Sequence, residues 1–403
     1  MKTQLLNRRQ FLAASGSALA AARLASPFTV TAAAARNWHV AVIGHTQRGD
    51  YGHGLDVMWQ RIPRTEITAV ADADATGLAA ARKRLGGVQG FSDYRKMLTE
   101  TKPDIVSIAP RHVDQHHAMC HAAIVAGARG IYIEKPFCRT PREADEIVAA
   151  CADKNVKLAV AHRNRYHPVL PVIKQQLAAG AIGTLLEIRA RGKEDTRSGA
   201  QDLWVLGSHL LDLAASLAGP PTACSAMLYQ NSKPCSREDI REGDEGIGPI
   251  AGNAVHARFE MADGAALFFD SIQNRGDKAS RFGLQFIGTT GLIHLRPDQE
   301  AFAHLRRGNP HNPAAATDPW VPITSAGIDR SETIADLATR IASHQAAGED
   351  LIEAIEQNRA PLCDAAAGRT TIEMLCAVFE SHRRGGARVT LPLQTRDHPL
   401  SLV

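Results

Sequence analysis

A doubly wound parallel α/β domain, followed by an α+β domain with a large, mostly antiparallel sheet, is the fold class this sequence predicts. Three observations predict it. From Trp38 onward, short apolar, β-branched runs alternate with helix-length segments, as in consecutive βαβ units. The first run empties into a glycine-rich turn, GHTQRGDYGHG (44–54), where a strand passes into a crossover and a diphosphate could sit against backbone N–H groups. After about residue 165 the alternation stops and strands follow strands.

The strands of the first half read HVAVIG (39–44), TEITAVAD (65–72), PDIVSIAP (103–110), GIYIEKP (130–136) and VKLAVAHR (156–163). A helix is expected straight after the glycine turn, and others over 76–85, 93–101, 115–127 and 141–153. Thr140 is placed to cap the last of these, with Pro141 in its first turn. The second half predicts a helix over 168–180 and strands over 185–192, 254–261, 265–272, 282–287 and 292–296. Ala262-Asp263-Gly264 reads as a hairpin turn. Residues 298–330 carry little periodicity and are read as a long loop; helices over 344–357 and 364–384 and a strand over 388–393 close the chain. Domain limits are expected at 1–35, 36–163 and 164–403.

At 403 residues the chain is long enough for two sizeable cores. Its net charge of +4 is spread without a long basic block, which points to a small-molecule partner and away from nucleic acid. Seven cysteines without a C-x-x-C pair read as free thiols. The N-terminal stretch LLNRRQFLAASGSALAAARL joins Arg8-Arg9 and Phe11-Leu12 to a short, alanine-rich apolar core, the pattern of a twin-arginine export signal. Cleavage is expected near Ala35, leaving a periplasmic or secreted protein without a stable membrane span.

Within the glycine turn, Gly44 and Gly49 bracket Thr46, where a third glycine would let a pyrophosphate approach most closely. Asp72 ends the second strand where a carboxylate would take adenosine ribose hydroxyls, and Asp74 adds charge. Two carboxylates disfavour a 2′-phosphate, so NAD is expected over NADP. Glu134 and Lys135 are costly if buried unpaired, so they belong at the strand's carboxyl end, where ligands of open parallel sheets collect. His112, His116, His117 and His121 share helical spacings, but no metal site is assigned to them.

With the glycine turn, the strand-ending aspartate and EKP in order, the chain resembles the glucose-fructose oxidoreductase and inositol dehydrogenase family, Gfo/Idh/MocA. The likeness runs through Pro110 with His116 downstream, Arg165-Tyr166, GAIG (180–183), GSHLLDL (207–213) and FIGTTG (286–291). It implies a dinucleotide-binding Rossmann domain joined to a substrate and oligomerisation domain. It also implies a lysine, here Lys135, between nicotinamide and substrate, with Glu134 and Pro136 shaping the cofactor site and His116 facing the crevice. His209 matches the family's catalytic histidine, and Asp212 stands three residues on, placed to orient it or to bind substrate. Many sugar dehydrogenases of the family carry an aspartate four residues before that histidine; here the position is Val205. Asp202, Asp195 and Glu194 are the nearest replacement carboxylates in sequence, and Lys193, Arg165 and Tyr166 are further candidate substrate contacts.

These readings predict an exported NAD-dependent oxidoreductase acting on a hydroxyl of a sugar, polyol or glycoside. Its partners are that substrate, the twin-arginine translocase during export, and further copies of itself. Because no pool of free NAD exists outside the cytoplasm, the cofactor has to be retained and restored within each cycle. A redox-assisted glycoside hydrolase or lyase is the alternative that Val205 favours, and a non-catalytic sensor is the third reading.

Overall fold

The computed structural model describes residues 37–197, 199–276, 282–315 and 318–402. The twin-arginine pattern and its expected cleavage site lie outside them. No helix among the described residues is long and apolar enough to cross a membrane.

The first sheet has six parallel strands: β1 (Trp38–Ile43), β2 (Thr65–Ala71), β3 (Gln89–Phe91), β4 (Ile105–Ile108), β5 (Gly130–Ile133) and β6 (Lys157–Val160). Their order is β3-β2-β1-β4-β5-β6, so the strand order reverses between β1 and β4 and leaves a crevice at their carboxyl ends. β4 and β5 are buried along their whole length, as their unbroken apolar runs require of inner strands covered on both faces.

Helices α1 (Ala75–Arg84), α2 (Tyr94–Thr101), α3 (His116–Val125) and α4 (Pro141–Lys154) make the crossovers. Asp74, Asp93 and Thr140 cap α1, α2 and α4 by accepting backbone N–H bonds in their first turns. The helix expected after the glycine turn does not form: residues 51–57 run as successive turns into a short 3₁₀ segment at Met58–Arg61. Gly52 (φ +59°) and Gly54 (φ +86°) hold the left-handed conformation there, which a right-handed helix cannot contain.

After α5 (Val169–Ala178) comes the second sheet, built on β7 (Leu185–Arg191). Between β7 and the next strand lie α6 (Gly199–Asp202), a π turn over Leu203–Gly207, and α7 (Ser208–Ala218). The sheet continues with β8 (Pro221–Gln230), β9 (Ala254–Met261), β10 (Ala266–Ile272), β11 (Gly283–Gly288), β12 (Gly291–Leu295), β13 (Ala303–Arg307) and β14 (Val321–Thr324). The order is β14-β13-β12-β11-β7-β10-β9-β8, with two-residue strands Gly327–Ile328 beyond β14 and Val389–Thr390 beyond β8. Within this second sheet only β7 and β10, of the strands named, pair in parallel, and the hairpin at 262–264 joins β9 to β10.

The segment read as a loop over 298–330 therefore contributes β13 and β14. In β13 the inward Ala303 and Leu305 alternate with outward His304 and Arg306, too weak a signal to stand out. The chain then returns to the first sheet. In α9 (Gln345–Glu356), which follows α8 (Leu337–Ala342), Leu351 and Ile355 pack beside Gly130. α10 (Ala365–Arg383) sets Gly368 against Phe137 and Val160 and hydrogen-bonds β8 through Ser381 Oγ (2.8 Å to Ala226 N).

Candidate active site

The crevice beyond β1, β4 and β5 is organised around two buried carboxylates. Glu134, wholly buried, accepts bonds from Lys135 N (2.6 Å), His53 N (3.0 Å) and the His53 ring, and so ties the glycine turn to the end of β5. Burial opposes its charge, but the His53 hydrogen bond and the nearby His53, Lys135 and His344 together outweigh that and hold the carboxyl at about 2. Asp72 accepts from Thr46 N (3.1 Å), Thr46 Oγ1 (2.7 Å), Tyr51 Oη (2.9 Å) and Asp74 N (2.9 Å). Gly49 (φ +90°) lies where any side chain would run into the backbone of Arg111 and His112.

Lys135 stands two residues past β5, its peptide to Pro136 is cis, and its ammonium donates to the carbonyl of Val205 (3.2 Å) in the π turn. Gly207 lets that turn press against the Phe269 ring, and α7 starts at the next residue. His209 therefore faces the crevice from the second domain: it and Lys135 line one cavity of about 140 Å³, with His53, Arg163, Lys193 and His344. Burial lowers the Lys135 ammonium from its ordinary value of 10.5, partly offset by Glu134 and Glu245. Burial, then His162 and Lys135, holds the His209 imidazole well below 6.5, so at neutral pH it is an uncharged base.

Behind His209 lies a second histidine. The rings of His162 and His209 are 5.1 Å apart, and His162 Nε2 and His209 Nδ1 are both buried without a hydrogen-bond partner. The other nitrogen of His162 stands 3.6 Å from Asp212 Oδ1, which also accepts from Arg165 (2.8 Å). Burial works against the Asp212 charge, but Arg165 and His162 keep the carboxyl below its usual range.

Models of the oxidoreductase family match twice, as its NAD-binding Rossmann fold over residues 38–162 and as its C-terminal alpha/beta domain over 174–391. The chain belongs to the Gfo/Idh/MocA oxidoreductase family. This family member is 26% identical over 332 residues to D-apiose dehydrogenase of Paraburkholderia graminis, covering 77% of this chain and 84% of that protein. It is 26% identical over 249 residues to levoglucosan dehydrogenase of Pseudarthrobacter phenanthrenivorans, covering 56% and 63%. A solved levoglucosan dehydrogenase in complex with NADH and levoglucosan has the same fold, with a TM-score of 0.70 at 22% identity over 89% of this chain and 100% of that one.

The crevice of this Gfo/Idh/MocA chain fits a dinucleotide at its phosphate end. Arg111 Nε and Gln115 Nε2 are buried beside the glycine turn without acceptors, the donor set that phosphate oxygens satisfy. The ribose end differs from expectation: Asp72, only 1% exposed, has its carboxylate covered by Thr46 and Tyr51 and anchors the turn.

Four other groups of candidate residues have their side chains engaged elsewhere. His116 is a strut, its nitrogens facing the carbonyls of Pro110 (2.8 Å) and Pro136 (3.0 Å). Arg165 is committed to Asp212 and to the Leu362 carbonyl (2.6 Å), and Tyr166 is buried in the core. Glu194 and Asp202 do not reach the cavity: Glu194 holds Ile272 N (3.0 Å) and Asp202 holds Ser271 Oγ (2.6 Å). Asp212, finally, addresses His162 and Arg165 and makes no hydrogen bond to His209 among the described residues. Lys193 alone of that loop's candidates lines the cavity.

The sequence reading missed His53, His162, Arg163 and His344. His162 and Arg163 stand just past β6, so the rule that ligands gather at strand carboxyl ends was the available signal. His344 comes from the α8–α9 junction, far away in sequence, and hydrogen-bonds Tyr132 Oη (2.7 Å).

Glu134→Ala leaves three donors facing an emptied site and is expected to lower unfolding stability by about 3 kcal/mol, read by calorimetry at neutral pH. Because the folded carboxyl lies at about 2 against an ordinary 4.5, its contribution is full above 4.5 and is lost as pH falls toward 2. The gap between wild type and variant should close over that window.

Proposed function

We propose that this chain is an exported NAD-dependent dehydrogenase of a hydroxyl on a sugar, polyol or glycoside, one that keeps its nicotinamide through successive cycles. The observation that carries the reading is the convergence of Lys135, from the end of β5, and His209, from α7, on one cavity. D-apiose and levoglucosan dehydrogenases among the relatives support a carbohydrate substrate.

Bound nicotinamide supplies the hydride acceptor. Arg111, Gln115 and the turn at 44–49 hold the phosphates, and Pro136 and Glu134 shape the crevice wall. A substrate hydroxyl between Lys135 and His209 gives its proton to the neutral imidazole of His209 while the ammonium of Lys135 steadies the developing alkoxide. His162, backed by Asp212, takes the part of the carboxylate absent at Val205 by carrying charge and proton away from His209. Asp72 and Asp74 favour NAD over NADP by repelling a 2′-phosphate.

Retention is supported by the segment between the short strands Arg241–Glu242 and Pro249–Ile250. It packs against residues 113–115, just beyond β4: a side chain at Gly246 would stand 2.7 Å from Asp114 Oδ1, and Asp244 N donates to Gln201 Oε1 (3.0 Å). The Arg8-Arg9-Phe11-Leu12 pattern supports export, and the outer face of the second sheet is where we place a homo-oligomeric contact.

Purified from the periplasm, the protein should carry nicotinamide, and a panel of sugars and glycosides should produce the reduced-nicotinamide absorbance. Protein that carries none and binds none contradicts the proposal. Val205, apolar where a carboxylate is expected, also favours redox-assisted glycoside cleavage. Released aglycone with no net change in cofactor redox state would select that second reading.

A further inference from the structure

The histidine cluster singled out in the sequence resolves into two parts. His116 is spent on backbone carbonyls, and His112 precedes the 113–115 turn outside the helix. His117 and His121 stand one helical turn apart on α3 with ring centroids 4.5 Å apart. Glu146, from the adjoining α4, approaches His117 Nε2 at 2.7 Å. One donor atom from each of the three lies within 4.8 Å of the others.

We propose that His117, His121 and Glu146 bind a borderline divalent transition-metal cation, Zn²⁺ or Ni²⁺ in chemistry, and that the ion clasps α3 to α4 on the outside of the first sheet. Two imidazoles and a carboxylate suit such ions, whereas Mg²⁺ and Ca²⁺ prefer all-oxygen sets. His121 Nε2 is buried without a partner, which is costly for an imidazole that nothing else satisfies. In the present arrangement His117 Nε2 and the Glu146 carboxylate meet directly across the place an ion would take. The two histidines edge a groove of about 920 Å³ shared with Arg95, Thr99 and Lys102, which leaves the remaining coordination positions to water. That groove is separate from the Lys135 cavity, so the inference does not depend on the proposed reaction.

The test is a calorimetric titration of the untagged, metal-stripped full chain with ZnCl₂ and with NiCl₂, repeated with excess MgCl₂. One equivalent should bind, unaffected by Mg²⁺, and melting temperature should rise with the ion. His121→Ala should weaken binding by more than the about 10–100-fold that losing an outer-sphere partner costs. Glu146→Gln, a surface change that leaves the fold intact, should weaken it too. No binding, or equal binding by His117→Ala/His121→Ala protein, would overturn the proposal. The latter would assign the ion elsewhere, for example to the buried His162, Asp212 and Cys363.

Discussion

Replacing Lys135 by alanine is expected to lower kcat by about 10³-fold while leaving NAD affinity within a few-fold of wild type. Lys135 is 3% exposed; its ammonium donates to the Val205 carbonyl, and the residue lines the cavity shared with His209. Its removal takes away the cation facing a developing alkoxide and also leaves a void. Lys135→Met keeps most of the volume and should lose turnover almost as completely. Stopped-flow reduction of bound cofactor separates the cases: a lost chemical step with intact cofactor binding supports the assigned role. Lost binding in both variants would make Lys135 a structural residue, and retained turnover in either would remove it from the reaction.

His209→Ala is expected to lower kcat by about 10²–10⁴-fold, with cofactor binding again unchanged. The pH profile carries more information than the rate. Because burial, His162 and Lys135 hold the imidazole well below 6.5, wild-type kcat/KM should stay level as pH falls through 6.5 and drop only below it. An alkaline limb should appear below 10.5 as the Lys135 ammonium loses its proton. The His209 variant should lose the acid limb and keep the alkaline one. His162→Ala removes a neighbour that helps hold the His209 imidazole low and admits water, so it should move the acid limb upward toward 6.5; a merely structural residue would leave the limb in place.

Much of the scaffold was legible because its signals are local. β1, β4, β5 and β6 are short apolar runs closed by glycine, proline or charge, and Thr140-Pro141 announces α4 in two residues. EKP and GSHLLDL likewise mark the two places that meet at the cavity. What failed depended on conformation or on distant partners. Glycines at 52 and 54 could equally have been accommodated at a helix start; only their left-handed backbone replaces the helix with turns. β13 is a strand through pairing with β12, and β14 through pairing with β13, since their own composition is that of a loop. Asp202 and Glu194 sit near the site in sequence, yet both are drawn to the β10 end by Ser271 Oγ and Ile272 N. His162, which supplants them, becomes visible only when β6 is laid beside α7.

The crystal structure of the full chain with NAD and a bound sugar or glycoside tests the central claim most directly. The account predicts the nicotinamide at the carboxyl ends of β4 and β5. One substrate hydroxyl should lie about 2.6–3.2 Å from both the Lys135 ammonium and a His209 ring nitrogen. A dinucleotide bound elsewhere, or a nicotinamide ring kept apart from Lys135 and His209, would contradict it.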